Sequence, residues 1–188
     1  MPSPAASTAP IRTMLRRFRR NRAGSTVVEF ALVAPMFFAL LFAIIETGIV
    51  FFADQMLETG VQDTGRLIYT SQTQSAGTSQ VDFKQGLCDQ VVMLFGPQPC
   101  PNLYVDVRSY PQGTAITITD PIDSSGNFVN NFVYQPPANG DTTSTVVVRA
   151  FYQWPLFVTG LGYNIANIGR GSTNSSRLLA ATAAFRPQ

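Results

Sequence analysis

The chain has 188 residues, which is long enough for one modest domain and a membrane anchor. Its net charge is +2. It contains no histidine, and this excludes Ser-His-Asp and Cys-His catalysis and most catalytic zinc sites. We therefore expect no enzyme, no metal site and no cofactor.

Arginines are concentrated ahead of the first apolar run. Six arginines precede it, whereas the residues after Ala53 carry 7 basic and 9 acidic side chains. A basic cluster that stops at an apolar segment predicts positive-inside topology, with residues 1–24 as a cytoplasmic leader in contact with anionic lipid. A nucleic-acid patch is the weaker alternative, because no folded basic face accompanies this arm. The topology prediction depends on Arg16, Arg17, Arg19, Arg20 and Arg22.

The apolar run from Val27 to Ala53 predicts a membrane-spanning helix. Sixteen uncharged residues separate Glu29 from Glu46 within it. At about 1.5 Å per residue the run reaches roughly 40 Å, more than a hydrocarbon core of about 30 Å. A removed signal peptide is the rival interpretation, but its apolar core would be only about 7–15 residues long. We favour a helix that is retained.

A small domain is predicted after the span. The helical pattern continues to about Ser71, so residues 25–71 are predicted to form a transmembrane and extended helix, and residues 72–188 an α+β domain on the side of the membrane opposite the leader. A second helix is predicted over 81–95, and alternating apolar and polar residues then predict an antiparallel β-sheet. The predicted strands are 103–109 and 115–119, joined by a turn at 111–113, then 145–152 and 178–185, with 128–134 as a short strand or an ordered loop and with a helix left open for 178–185.

Two cysteines, Cys88 and Cys100, lie in this distal region. If the region is outside the cytoplasm, they are expected to form a disulfide, because oxidising compartments favour that bond. By closing such a short loop, the disulfide would stabilise the fold by roughly 2–3 kcal/mol. The alternative is a pair of unlinked, small apolar side chains.

A possible processing site lies between the arginines and the apolar run. Cleavage after Gly24 would make Ser25 the new N-terminus and place Glu29 fifth, followed by Phe30. The Glu29 carboxylate would then lie about one helical turn from a free ammonium group. It would neutralise its own amine or that of a neighbouring subunit. The alternative is that Glu29 only lies at headgroup level, where a negative charge suits the start of a helix.

Two further residues interrupt the apolar run. Pro35 removes a backbone hydrogen bond and predicts a helix kink, which is either a weak point used during assembly or a harmless membrane proline. Glu46 falls near the outer boundary of the span. It either pairs with a partner subunit or marks the outer interface, where a charge reaches water cheaply.

Gly24, Glu29, Phe30 and Pro35, set in Val-Val-Glu-Phe-Ala-Leu-Val-Ala-Pro, resemble the TadE-like minor pilins (pseudopilins) of the tight adherence, or Flp, pilus system of bacteria. The resemblance extends through Ile-Ile-Glu-Thr-Gly at 44–48 and the amphipathic stretch ending at Arg66. The terminal residues 178–186 are similar to that family's last strand.

The resemblance implies a pilin-like structural subunit or assembly factor. It implies cleavage between Gly24 and Ser25 by a prepilin peptidase, a single pass through the bacterial inner membrane and a periplasmic C-terminal domain. The implied partners are the membrane, that peptidase and other pilin-like subunits and pilus assembly components, and the implied roles are pilus biogenesis, adhesion and biofilm formation. The alternative is an uncleaved, membrane-anchored periplasmic binding or scaffold protein.

Overall fold

The computed structural model describes residues 24–96, 100–172 and 175–188. The leader before Gly24, with Arg16, Arg17, Arg19, Arg20 and Arg22, lies outside the described residues. The chain divides into two compact units, one reaching to Phe42 and the other comprising Ala43–Gln188. Everything from the first unit that is described here is the beginning of one long helix.

Three α-helices come first in the chain. Helix α1 is Ser25–Tyr69, and its assignment runs unbroken through Pro35. The short α2 is Gln72–Ala76 and α3 is Gln80–Phe95. The predicted extended helix and second helix are thus present, within one or two residues of the expected ends.

Local chemistry defines both ends of α3. The Ser79 hydroxyl accepts a hydrogen bond from the Asp82 N–H, and the Asp82 carboxylate accepts one from the Ser79 N–H, both at 3.2 Å. This capping box satisfies two backbone donors that a helix leaves unpaired. At the other end Gly96 has a φ of +83°, a conformation that glycine adopts more readily than other residues.

Four strands follow and form one sheet in the order β2-β1-β3-β4. They are β1 Leu103–Tyr110, β2 Tyr134–Gln135, β3 Thr145–Pro155 and β4 Ser176–Phe185. β3 pairs antiparallel with both β1 and β4, whereas β1 pairs parallel with β2. The α+β class is confirmed, but the sheet is mixed where we expected a wholly antiparallel one.

The predicted strand at 115–119 is wrong. This stretch lies in no strand and is largely exposed, although the Tyr110 hydroxyl donates to the Thr117 carbonyl at 2.8 Å. A strand has only two hydrogen-bonding edges. β3 occupies one edge of β1, while Val133 and β2 occupy the other, so no edge is left for a hairpin partner.

The two faces of the sheet are covered differently. One face packs against α1 and α3 and forms the main core. The other face carries Phe151 and Leu178, which are covered by loop residues including Ile122, Phe128 and Phe132. The main core includes Ala53, Leu57, Val61 and Ile68 from α1, Phe83, Leu87 and Val91 from α3, and Val105, Val107, Val146, Val148, Ala150, Leu179 and Ala181 from the sheet.

Cys88 and Cys100 form a disulfide. It joins α3 to the residue three before β1, with 6.1 Å between the two Cα atoms. Both cysteines are fully buried in the main core. The bond therefore closes the connection between α3 and the sheet, and the unlinked alternative is excluded in this structure.

Candidate functional site

The predicted processing residues lie at the very start of α1. Gly24 directly precedes the helix, and a methyl group built on its Cα would find no heavy atom within 4 Å. Its φ is not in the positive range that favours glycine. Among the described residues, nothing therefore requires glycine at this position.

The residues after Gly24 present an apolar surface. Glu29, Phe30 and Pro35 are all exposed, and so are most of the apolar side chains between them and Phe42. Among the described residues, α1 is the one helix long and apolar enough to cross a membrane. A long run of exposed Leu, Phe and Val side chains is unfavourable in water and favourable in lipid, which indicates single-pass membrane anchoring.

Glu46 lies in the second unit, where its carboxylate contacts the backbone of a distant segment. It is only 7% exposed. Its Oε1 accepts a hydrogen bond from the Phe157 N–H at 2.5 Å, and the Val158 N–H lies 3.3 Å from each carboxylate oxygen. The carboxylate thus satisfies backbone donors at the start of a 3-10 turn, Val158–Leu161. No spacing in the sequence pointed to this contact between positions more than 100 apart.

The residue after Glu46 makes a second contact to the same region. The Thr47 hydroxyl lies 3.1 Å from the Tyr163 hydroxyl and donates to the Ala43 carbonyl at 2.8 Å. Consecutive residues of α1 therefore hold both ends of one loop, which we define as the 156–163 loop. The Glu46 carboxylate and the Thr47 hydroxyl together form a tether for this loop.

Two glycines of α1 lie where other elements approach most closely. A Cβ at Gly60 would be 2.9 Å from Leu87 and 3.0 Å from Val91 of α3, and one at Gly65 would be 3.0 Å from the Phe185 ring of β4. Contacts this short leave no room for a side chain. Glycine at these two positions therefore lets α3 and β4 pack closely against α1.

A buried charge network on the far face of the sheet escaped the sequence analysis. Asp106 of β1 and Arg149 of β3 are cross-strand partners, with 2.6 Å between Oδ2 and Nη2. Asp106 also accepts from the Val133 N–H at 2.9 Å, and Arg149 donates to the Thr119 carbonyl at 2.8 Å. The pair therefore fastens the 119–133 segment onto the sheet.

The titration of Asp106 reflects this network. Burial alone would raise the pKa of its carboxyl, but the Val133 N–H and the guanidinium groups of Arg149 and Arg108 outweigh burial, so the pKa lies below its usual range. The charged pair is fully formed at neutral pH. Its role is structural, because it faces covering loop residues and not an open cleft.

Among the described residues, no group of three or more Cys, Asp or Glu side chains is arranged to hold a metal ion. The features that characterise the candidate site are the predicted processing residues, an apolar helix, a tethered loop and two close-packing glycines. All of them lie on α1 or contact it.

Most of α1 is similar to a known protein family. Residues 24–66 match the model of the TadE-like proteins. The match begins at Gly24 and ends at Arg66, so the TadE-like segment contains the predicted processing residues, Glu46 and both close-packing glycines. No curated protein and no solved structure matches the chain.

The TadE-like segment associates the chain with the tight adherence pilus system. TadE-like pilins are structural and not catalytic. The family also implies membrane association and interaction with pilus components. The family match ends within α1, so it does not extend to the domain that follows.

Proposed function

We propose that this protein is a non-enzymatic, pilin-like subunit or assembly factor of a tight adherence pilus, matured by a prepilin peptidase that cuts after Gly24. It acts in pilus biogenesis, and through the pilus in adhesion and biofilm formation. The observation that carries the proposal is the coincidence of the family match with the motif, because both begin at Gly24.

The geometry of Gly24 supports the processing step. Gly24 directly precedes an exposed apolar helix, and the described fold does not need a glycine there. Because glycine has no side chain, it allows a protease to approach the backbone closely. The cut would leave the whole of α1 on the mature chain. The mature protein would then keep the surface that holds it in the membrane and packs against other subunits.

The proposed topology has residues 1–24 in the cytoplasm, residues 25–71 as the anchor helix and residues 72–188 in the periplasm of the bacterial cell. The basic leader favours the cytoplasm for the N-terminus by the positive-inside rule. The buried Cys88–Cys100 disulfide agrees with an oxidising compartment for the distal domain. Two independent features therefore favour the same orientation.

The test is a Gly24→Ala variant of the full chain in cells that contain the pilus system. We expect its processing to be blocked, so the membrane fraction should contain a chain about 24 residues heavier than the wild-type product. Membrane insertion should be unchanged, because an added methyl at Gly24 meets nothing. Intact mass of the extracted protein measures both results.

Gly48→Ala is the matched control, since Gly48 is in the same helix and its added methyl also meets no atom. It should be processed as wild type. A mature product of normal mass from Gly24→Ala would contradict the proposed cut. A wild-type chain that keeps Met1 would instead favour the alternative, an uncleaved, membrane-anchored binding or scaffold protein.

Glu29 has a separate proposed role after the cut. The new ammonium of Ser25 would need a negative partner in lipid, and Glu29 is the first acid of α1, one turn away. Pairing with the amine of a neighbouring subunit would also set the axial register between helices. Pro35, six residues further on, is proposed to ease bending of the helix during assembly.

A Glu29→Ala variant is expected to be cleaved normally but to lower pilus assembly by about tenfold or more, because it leaves a buried ammonium group unpaired. Glu58→Ala is its control, since Glu58 is an exposed acid on the same helix. Surface pili are counted by immunoblot of sheared fractions. Normal pilus output from Glu29→Ala would show that Glu29 only lies at headgroup level.

A further inference from the structure

We propose that the 156–163 loop is a second membrane contact, which lies in the interface of the same phospholipid bilayer that α1 spans and seats the distal domain on the membrane surface. The proposal depends on α1 being a membrane span. It depends neither on cleavage after Gly24 nor on a role in pili. It therefore goes beyond the proposed function and can fail separately from it.

The first argument is the tether. Both ends of the loop contact consecutive residues of α1, through the Glu46 carboxylate at Phe157 and Val158 and through Thr47 at Tyr163. A buried carboxylate that accepts backbone N–H groups makes strong, charge-assisted bonds. The loop is thus held at one fixed height along α1.

The second argument is where that height falls. A hydrocarbon core of about 30 Å takes about 20 helical residues. A span of that length that begins between Val27 and Phe30 ends between about residues 46 and 49. Glu46 and Thr47 therefore lie at the end of the hydrocarbon, and the loop that they hold lies at the bilayer interface.

The third argument is the chemistry of the exposed surface at this level. Phe157 is 80% exposed although it is a large apolar side chain, and Tyr163 is 41% exposed. Ile49, Phe51 and Phe52 of α1 are also exposed close to the tether. Tyr163, with an apolar ring and a polar hydroxyl, is of the type enriched at membrane interfaces. The exposed phenylalanine rings and Ile49 are unfavourable in water and favourable in lipid, so lipid is the partner that this surface fits.

The order of groups above the loop agrees with this placement. A groove of about 530 Å³ beside the loop is lined by Thr47, Phe51 and Tyr163 and, further along, by Asp54 and Arg177. Asp54 lies about 12 Å beyond Glu46 along the helix. Along α1 away from the hydrocarbon, apolar and hydroxyl groups are thus followed by charged groups. Polarity increases in the same order across a bilayer interface.

The test places a single tryptophan at the loop in lipid nanodiscs that hold one full-length chain each. The variant is Phe157→Trp in a Trp154→Phe background, where Trp154 is the chain's one natural tryptophan and Phe keeps a ring beside Tyr152. Phospholipids brominated near the carbonyl end of the acyl chain quench tryptophans at the interface. We expect quenching at least about threefold stronger than for a tryptophan outside the membrane.

Leu67→Trp in the same background is the control outside the membrane. Leu67 is an exposed apolar residue of α1, about 32 Å beyond Glu46 along the helix. Leu40→Trp is the control inside the membrane. Strong quenching of Leu40→Trp establishes the span, so a failure of the loop proposal is separated from a failure of α1 to insert.

Equal quenching of Phe157→Trp and Leu67→Trp, with Leu40→Trp quenched, would overturn the proposal. Shielding of Phe157→Trp that requires two or more chains in a disc would also overturn it, because it would assign the loop to contact with a second copy. Quenching in discs with one chain supports lipid as the partner.

Discussion

An Arg149→Met variant is expected to lose about 3–5 kcal/mol of unfolding free energy, because it leaves the Asp106 carboxylate buried without its main partner. Asp106 is 1% exposed and Arg149 is 4% exposed, so water cannot replace the lost guanidinium group. The Thr119 carbonyl also loses its donor. The 119–133 segment should then detach from the sheet before the main core unfolds.

Urea unfolding of the full chain in detergent micelles measures this loss. Trp154 reports on it, since it is the one tryptophan and packs against the main core. Arg170→Met, at an exposed arginine, should change the free energy by no more than about 0.5 kcal/mol. Adding Asp106→Asn to Arg149→Met should recover part of the loss, because a neutral amide costs less to bury than a carboxylate. An Arg149→Met chain as stable as wild type would show that the pair does not hold the segment.

The same pair also predicts a pH dependence. The Asp106 pKa is lowered in the folded protein, so the unfolded chain binds the proton more tightly. The stabilisation is therefore present above the unfolded pKa of about 3.9 and is lost as the pH falls through the folded value. The difference between wild type and Arg149→Met should be largest near neutral pH and should shrink in acid.

A Gly60→Leu variant is expected to destabilise the distal unit by about 1–3 kcal/mol. The first added carbon would lie 2.9 Å from Leu87 and 3.0 Å from Val91. These two side chains are fully buried in the main core, so neither has space to move aside. The effect would separate α3 from α1 and strain the nearby connection through Cys88, and the same urea titration measures it.

Gly86→Leu is the matched control, because it makes the same change on α3 where an added carbon meets no atom. It should be neutral or stabilising by up to about 1 kcal/mol, since leucine favours helix over glycine. If Gly60→Leu were as stable as Gly86→Leu, the close approach of α1 and α3 would not limit packing. The comparison removes helix propensity from the interpretation, because both variants gain the same propensity.

The helices were predictable because their hydrophobic pattern keeps a helical period over many residues. The apolar run that starts at Val27 and the spacing of Leu57, Val61 and Ile68 have a helical period over many residues, so tertiary contacts cannot easily override them. The segment of β4 was predicted as a strand with a helix left open, because it is rich in alanine. Strand β3 was also predicted, because β-branched and aromatic residues are concentrated in it. The stretch 115–119 has the same local pattern but failed, since strand formation needs a free neighbouring edge and β1 had none.

The contacts of charged residues could not be read in the same way. Asp106 and Arg149 are 43 positions apart and meet only because β1 and β3 pair in one register. Glu46 and Phe157 are 111 positions apart. A charged residue carries no sequence signal for its partner, because many positions of opposite charge or free N–H groups satisfy it equally well.

By itself, the sequence determined the membrane helix, the motif at Gly24, the α+β class and the pair of cysteines. These are properties of local composition and period, and they do not depend on which distant residues meet. The tertiary structure alone decided that β2 pairs parallel with β1 and that Asp106 and Arg149 pair with each other on the second face of the sheet. It also decided that Glu46 holds the 156–163 loop. Each of these needs a definite register between distant segments, and that register follows from packing the whole domain at once.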